Sequence, residues 1–329
     1  MKIIRFHTTG GPEVLQFDEV EASKPLGNEV LIKVSAFALN QADMLFIRGQ
    51  HYTVPNFPSR IGSEATGVVV DIGEGVTSFK KGDWVTSIPF YTQKYGVQGE
   101  YATIPERYLT MVPDNFSIEE ATSFWMQYLT AYYALFKLGD VQKGDYVFIP
   151  ATSGTAGQGA LKMAKDAGAI VLGSTRTEHK KEFIADLGAD HVIVSDKGKV
   201  LERLKELTGS RGLKFVFDPI GGPFNSEYMQ ALSFGGSAAI YGLLGGMPTE
   251  FPILDLVRNN TRLYAYSMFN YVMDELLLEE GKSYVLDRIR KNGLRPMVDR
   301  VFDFKDTVKA YEYMLSNKQK GKIVVKVNA

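Results

Sequence analysis

Residues 146–169, "YVFIPATSGTAGQGALKMAKDAGA", decide how this chain is read. An apolar run with β-branched residues enters a loop of threonine, serine, glycine and alanine, and an amphipathic segment leaves it. A buried strand that turns into a helix through such small residues exposes backbone N–H groups. Together with the positive end of the helix dipole, they suit a pyrophosphate. Gly154 and Gly157 match the second and third glycines of G-x-G-x-x-G, and Thr152 stands at the first glycine position. By itself this degenerate pattern fits a tight turn packed for its own sake as well as a cofactor cradle. The surrounding sequence favours the cradle.

Outward from the loop, strand and helix alternate. Strands are expected at "AIVLGST", "HVIV", "KFVFDPI", "SAAIYGL" and "RLYAYS", and helices at "GQGALKMAKDAG", "EHKKEFIADLG", "KVLERLKELTG" and "PFNSEYMQALSF". Gly168, Gly188 and Gly209 close three of the helices, where a left-handed residue is easily placed. The strands are apolar throughout, as parallel strands covered on both faces should be. The pattern predicts an α/β, doubly wound parallel sheet. Before it lies a β-rich stretch, with "NEVLIKVSAFAL", "ATGVVVDIG" and "DWVTSI" as short strands. "SIEEATSFWMQYLTAYYALFKLG" then reads as an apolar helix opened by a Ser117/Glu120 capping box. A long helical stretch follows Tyr271, and "KGKIVVKV" is a strand expected to rejoin the first part.

Composition narrows the chemistry. At 329 residues, two domains are expected. The net charge of −1 gives no basic footprint for nucleic acid. No apolar run reaches a membrane span and the N-terminus reads as a strand, so the expected compartment is the cytoplasm. The absence of cysteine excludes thiolate metal sites and thiol nucleophiles, and the four histidines show no two-ligand helical spacing.

The end of the strand after the glycine loop reports on the cofactor. NAD-binding folds usually carry an Asp or Glu there for the ribose. "VLGSTRTEHKKE" instead puts Ser174 and Thr175 at that place, with Arg176 and Lys180 just beyond. Two hydroxyls and two cations suit a 2′-phosphate, which points to NADPH.

With these residues placed, the chain resembles the medium-chain dehydrogenase/reductase superfamily, and more narrowly its zinc-free quinone oxidoreductase (ζ-crystallin-like) group. "GSEATGVVVDIGEGVTSFKKGDWV", "GEYATIP", "LTAYYAL", "LGADHVI", "FDPIGG", "YGLLGG" and "GKIVVKV" carry the likeness along nearly the whole chain. The resemblance implies a GroES-like catalytic domain at 1–124 and 266–329, and a Rossmann NADPH-binding domain at 125–265. At the positions of the zinc ligands of metal-dependent relatives stand Asn40, Ser63 and Met126, so no metal is expected.

Further implications are residue by residue. Asn40 would lie near the nicotinamide ribose or substrate, and Tyr52 would donate to the substrate oxygen; Asp43 and Glu64 would orient the cleft. Thr130 would lie near the nicotinamide, with Ser153, Gly154, Thr155 and Ala156 along the pyrophosphate. Gly242 and Leu243 would offer backbone, Phe269 would approach the nicotinamide, and Lys322 would contact a cofactor phosphate. Strand-like alternation would turn His51 away from Tyr52. Among the aromatic residues, Phe90, Trp125 and Tyr128 read mainly as packing, and Tyr91 and Tyr95 as the better cleft candidates.

Without a metal, hydride delivery suits quinones and α,β-unsaturated carbonyls, whose developing oxyanion needs only hydrogen-bond donors and a proton. The expected activity is therefore NADPH-dependent reduction of a quinone or enone, and the resemblance implies a homodimer joined near residues 262–267. The alternative is a non-catalytic NADPH-binding protein with a structural, RNA-binding or protein-binding role.

Overall fold

A computed structural model describes residues 1–21, 23–90, 94–246 and 248–327. The chain divides into two compact units, Met1–Met126 with Arg295–Ala329, and Gln127–Leu294.

The first unit is built on β-pairing. Strands β1 (Lys2–Phe6) and β2 (Leu15–Glu19) pair antiparallel. β3 (Glu29–Ala38) then runs into helix α1 (Gln41–Ile47). β4 (Ser59–Arg60) joins β1, and β5 (Ala65–Ile72), β6 (Trp84–Ser87), β7 (Tyr101–Pro105) and β8 (Leu109–Met111) follow. β3 alternates inward Val30, Ile32 and Val34, all buried, with Lys33 outward, and pairs with both β5 and β7. The capping box forms at helix α2 (Ile118–Ala121): Ser117 Oγ accepts from Glu120 N at 3.2 Å, and Glu120 Oε2 accepts from Ser117 N at 2.9 Å. The single long helix expected here is broken. α2 stops at Ala121, α3 spans Trp125–Tyr132, and a wider π turn covers Tyr133–Leu138. The hydroxyls of Thr122 and Ser123 bond back to Ile118 O and Glu119 O, offering the backbone an alternative to continued helix.

The second unit alternates as the apolar runs require. In order come β9 (Tyr146–Ile149), α4 (Thr155–Asp166), β10 (Ile170–Thr175), α5 (Lys181–Asp186), β11 (His191–Val194), α6 (Val200–Thr208), β12 (Leu213–Asp218), β13 (Leu232–Ile240), α7 (Ile253–Arg258) and β14 (Arg262–Ala265). Helices α8 (Met268–Val272) and α9 (Glu275–Asn292) complete it. All five pairings in the sheet are parallel, in the order β11-β10-β9-β12-β13-β14. This is the doubly wound order, which reverses between β9 and β12. Gly168, Gly188 and Gly209 have φ of +79°, +101° and +55°, so each takes the backbone into the left-handed half of the map as the helices end. The helix expected across "PFNSEYMQALSF" is instead two short 3-10 turns, Gly222–Glu227 and Met229–Ala231. Tyr228 explains the difference: its buried hydroxyl donates to Asp218 Oδ2 at 2.7 Å, and that tie holds the segment against the end of β12.

The closing segment returns to the first unit with β15 (Val298–Asp303), α10 (Thr307–Leu315) and β16 (Lys322–Lys326). β16 pairs antiparallel with β3 and parallel with β15, in a sheet ordered β15-β16-β3-β5-β6-β8 with β7 also on β3. The return falls at Arg295 rather than at the expected 266. β14 adds to the parallel sheet, and Gly281 of α9 packs so closely on Tyr133 and Leu129 that a Cβ there would meet Tyr133 Oη at 2.5 Å. Those contacts keep residues 266–294 in the second unit. Among the described residues no helix is long and apolar enough to cross a membrane.

Candidate functional site

In the second unit the loop between β9 and α4 answers the missing first glycine. Thr152 is fully buried, and its hydroxyl donates to Ile149 O at 2.6 Å while accepting from Ser174 N at 2.8 Å. The side chain turns inward and staples β9 to β10, leaving the outer face to its neighbours. Ser153, Gly154, Thr155 and Ala156 are all at least partly exposed at the start of α4, where the first N–H groups have no helical partner. Gly157 serves packing: a Cβ would lie 2.8 Å from Thr152 Cα and 2.9 Å from Thr152 O.

At the end of β10, Arg176 is exposed. Ser174 and Thr175, expected to offer hydroxyls, are only 2% and 5% exposed. Lys180, in the turn before α5, is 8% exposed. No carboxylate stands between residues 174 and 177.

The loops after β12 and β13 run together at the same edge of the sheet. Leu244 N donates to Pro219 O at 3.2 Å, and Gly245 N to Ile220 O at 2.7 Å. At Gly242 a Cβ would meet Pro219 O at 2.3 Å, so only glycine allows this approach; Leu243 beside it is exposed. Asp218 closes the base of the loops. It accepts from Ile220 N, Gly221 N and Tyr228, and burial raises its pKa against the lowering effect of those bonds. Thr130 lies buried on α3, and Tyr266 donates to its carbonyl at 3.0 Å, which fixes the entry to α8 and hence Phe269. The carboxyl ends of β9, β10 and β13 thus carry residues 153–156, Ser174, Arg176, Gly242 and Leu243 along one edge, the usual ligand side of an open parallel sheet; Thr130 and Phe269 lie on helices α3 and α8.

The first unit holds the remaining candidates in a buried polar network. Lys322 and Glu64, with side chains 1% and 0% exposed, form an ion pair at 2.7 Å. Lys322 Nζ donates to Asn40 Oδ1 at 2.5 Å, and Asn40 Nδ2 donates to Glu64 Oε2 at 3.4 Å. Glu64 Oε1 accepts from Met126 N at 2.9 Å. Asp43 Oδ2 accepts from Asn40 N at 2.9 Å and from the Tyr311 hydroxyl at 3.4 Å, and Gln98 Nε2 donates to that hydroxyl at 2.6 Å. Burial raises the Asp43 carboxyl to about 7; the Asn40 N–H and Lys322 pull it down, and Glu64 pushes it up.

Lys322 therefore departs from the expectation of a phosphate contact, because its ammonium is sealed against Glu64 and Asn40. Tyr311 and Gln98 gave no signal in the sequence. One reads as a core residue of an amphipathic helix, the other as a loop glutamine.

Tyr52 is 61% exposed in the loop after α1. His51 does not turn away from it; the rings lie 4.1 Å apart at 33°. These residues are in an irregular loop entered through Gly49 at φ +66°, so strand alternation does not apply. Among the aromatic residues, Trp125 and Tyr128 are fully buried, and Phe90 stacks on Tyr108 at 4.1 Å. Tyr95 donates to Glu29 Oε1 at 2.7 Å, and Tyr91 lies outside the described residues.

A doubly wound sheet with a small-residue loop between its first strand and helix, joined in sequence to a β-rich unit with a buried charged network, defines the two-domain dehydrogenase/reductase class. A family model described as "Alcohol dehydrogenase GroES-like domain" matches residues 27–114, and one described as "Zinc-binding dehydrogenase" matches residues 156–282. The chain belongs to the medium-chain dehydrogenase/reductase superfamily, in its zinc-free quinone oxidoreductase group. It is 28% identical to a 2-haloacrylate reductase of a Burkholderia species, with 97% of each chain covered. It is 27% identical to the quinone oxidoreductase of Sus scrofa, covering 99% of this chain and 97% of that one. The crystal structure of Escherichia coli quinone oxidoreductase complexed with NADPH matches with a TM-score of 0.91 at 27% identity, over 99% of this chain and 100% of that one.

The second family description raises the question of zinc. Asn40, Ser63 and Met126 offer neither thiolate nor imidazole, and Asn40 Oδ1 already faces the Lys322 ammonium. These side chains do not fit a zinc ion. Among the described residues no three His, Cys, Asp or Glu side chains gather to hold a metal.

Proposed function

We propose that this chain is an NADPH-dependent reductase of quinones or α,β-unsaturated carbonyls. The observation that carries the reading is the exposed small-residue strip at the start of α4, followed at the end of β10 by exposed Arg176 in a stretch, residues 174–177, that carries no carboxylate. Ser153, Gly154, Thr155 and Ala156 would hold the pyrophosphate, with Gly242 and Leu243 supplying backbone at the same sheet edge. Arg176 and Lys180 would hold the 2′-phosphate. Thr130 and Phe269 would border the nicotinamide.

When bound, NADPH would supply the hydride, and negative charge would collect on the oxygen of a conjugated acceptor that takes it. Asn40 Nδ2 and the Tyr52 hydroxyl are the donors proposed for that oxygen, in place of a Lewis acid. The exposed phenol of Tyr52 is the group placed to be resupplied with a proton from water. Relatives are named for acting on quinones and on a 2-haloacrylate, both of them conjugated acceptors.

A homodimer is proposed through β14, the outer strand of the parallel sheet. Phe234, Ile253, Leu254 and Val257 are exposed in the same unit, and an open strand edge invites pairing. The cytoplasm is the proposed compartment, where such a reductant is supplied. Purified protein should consume NADPH when given a panel of simple quinones and alkenals. Absence of turnover with every member, from protein that binds NADPH, would overturn the reading as a reductase.

A further inference from the structure

Asn40 is fixed at both of its ends. Its backbone N–H is taken by Asp43, and its side-chain amide lies between a buried cation and a buried anion. The strand register produces this meeting. Val324 of β16 pairs with Ala38, and Leu39 N donates to Ile323 O at 3.1 Å, which carries the start of β16 alongside residue 40. Lys322, the first residue of that strand, then reaches the amide oxygen at 2.5 Å and Glu64 at 2.7 Å.

Charge distinguishes the two ends of the amide. With Oδ1 toward the ammonium and Nδ2 toward the carboxylate, both contacts are attractive. Turning the amide over would set NH2 against an ammonium and a carbonyl oxygen against a carboxylate, with both charges buried where water screens them least. One Nδ2–H is directed at Glu64, and the planarity of the amide then fixes the direction of the second.

We infer that Lys322, acting with Glu64, is a positioning residue that locks the Asn40 amide in one orientation and so presents its second Nδ2–H as a fixed donor to the reacting oxygen. This rests on the role proposed above for Asn40. A fixed donor needs no reorganisation as charge develops. A purely structural ion pair would stabilise the unit without regard to what Asn40 does.

The test uses the full chain. Lys322→Met alone would strand a buried carboxylate, so the informative variant is Lys322→Met with Glu64→Gln, which removes both charges and keeps the shapes. With asparagine selectively 15N-labelled, the Asn40 side-chain amide is assigned by its loss in Asn40→Ala. In the parent it should give two separated proton signals that exchange slowly with water. In the double variant, exchange should accelerate and the signals shift toward each other. Hydride transfer should fall about 10- to 100-fold in kcat, with KM for NADPH nearly unchanged. Placed in an Asn40→Ala background, the same double change should cost nothing further.

An equal loss in both backgrounds, or an unaltered amide in the folded double variant, would overturn the inference. If the double variant does not fold, a freely exchanging Asn40 amide in the parent would do the same, and a protected one would support it. Should the parent reduce no acceptor, the proposed function fails, and the amide measurement still decides whether Lys322 locks Asn40.

Discussion

At the first glycine position of the β9–α4 loop, Thr152 sends its hydroxyl to Ile149 O and takes the N–H of Ser174. Thr152→Val keeps the shape and strands that buried N–H, so urea unfolding should show a loss of about 1–3 kcal/mol. Asp43 permits a prediction about pH. Its folded pKa, about 7, lies above that of an ordinary aspartate, so the folded state prefers the protonated form. The stability this contributes is complete below about pH 4 and is lost as pH rises through about 7. Thermal melts should therefore show the melting temperature falling between those limits, and Asp43→Asn should flatten that fall. A melting temperature equally pH-dependent in Asp43→Asn would assign the effect to other groups. At this scale the sequence was only partly legible. The glycine spacing located the loop, but nothing in it foretold that Thr152 would fold inward. Residue identity likewise could not show that Ser174 and Thr175 are buried, because strands covered on both faces hide polar and apolar residues alike.

Secondary structure was the most legible level, because apolar runs and terminal glycines record burial and backbone sign directly. "AIVLGST" became β10, and Gly168, Gly188 and Gly209 take positive φ as the helices end. The readings that failed are those in which side chains compete with backbone patterns. Thr122 and Ser123 bond back to the preceding turn at the end of α2, and Tyr228 ties a would-be helix to Asp218. The β10–α5 connection carries its own prediction. Replacing Arg176 and Lys180 together by Ala should abolish the preference for NADPH over NADH, chiefly through a raised KM for NADPH. Steady-state kinetics with both cofactors would check this, and unchanged selectivity would remove these residues from the 2′-phosphate site.

For the molecule as a whole, composition and the strand–helix alternation were enough to anticipate two units. The point of return was not legible. The stretch after Tyr271 reads as helix, and a helix carries no mark of the body it packs on; only contacts such as that of Gly281 with Tyr133 decide it. Assembly was equally silent, since an exposed apolar side chain looks in sequence like a buried one. If β14 joins two copies, sedimentation should give about twice the monomer mass, and Leu254→Glu with Val257→Glu should yield folded monomer. A parent that sediments as a monomer across the micromolar range would end that proposal.

The first unit's larger sheet also has a temporal side. Its strand β16 lies between β15 and β3, yet it is translated after every partner it joins and after the whole inserted nucleotide-binding unit. On the ribosome, Glu64 must therefore wait for its counter-ion while well over two hundred intervening residues emerge. Burying Glu64 before Lys322 arrives would leave a carboxylate in the interior without its cation, so the strand that fills the gap between β15 and β3 also brings the charge that Glu64 needs.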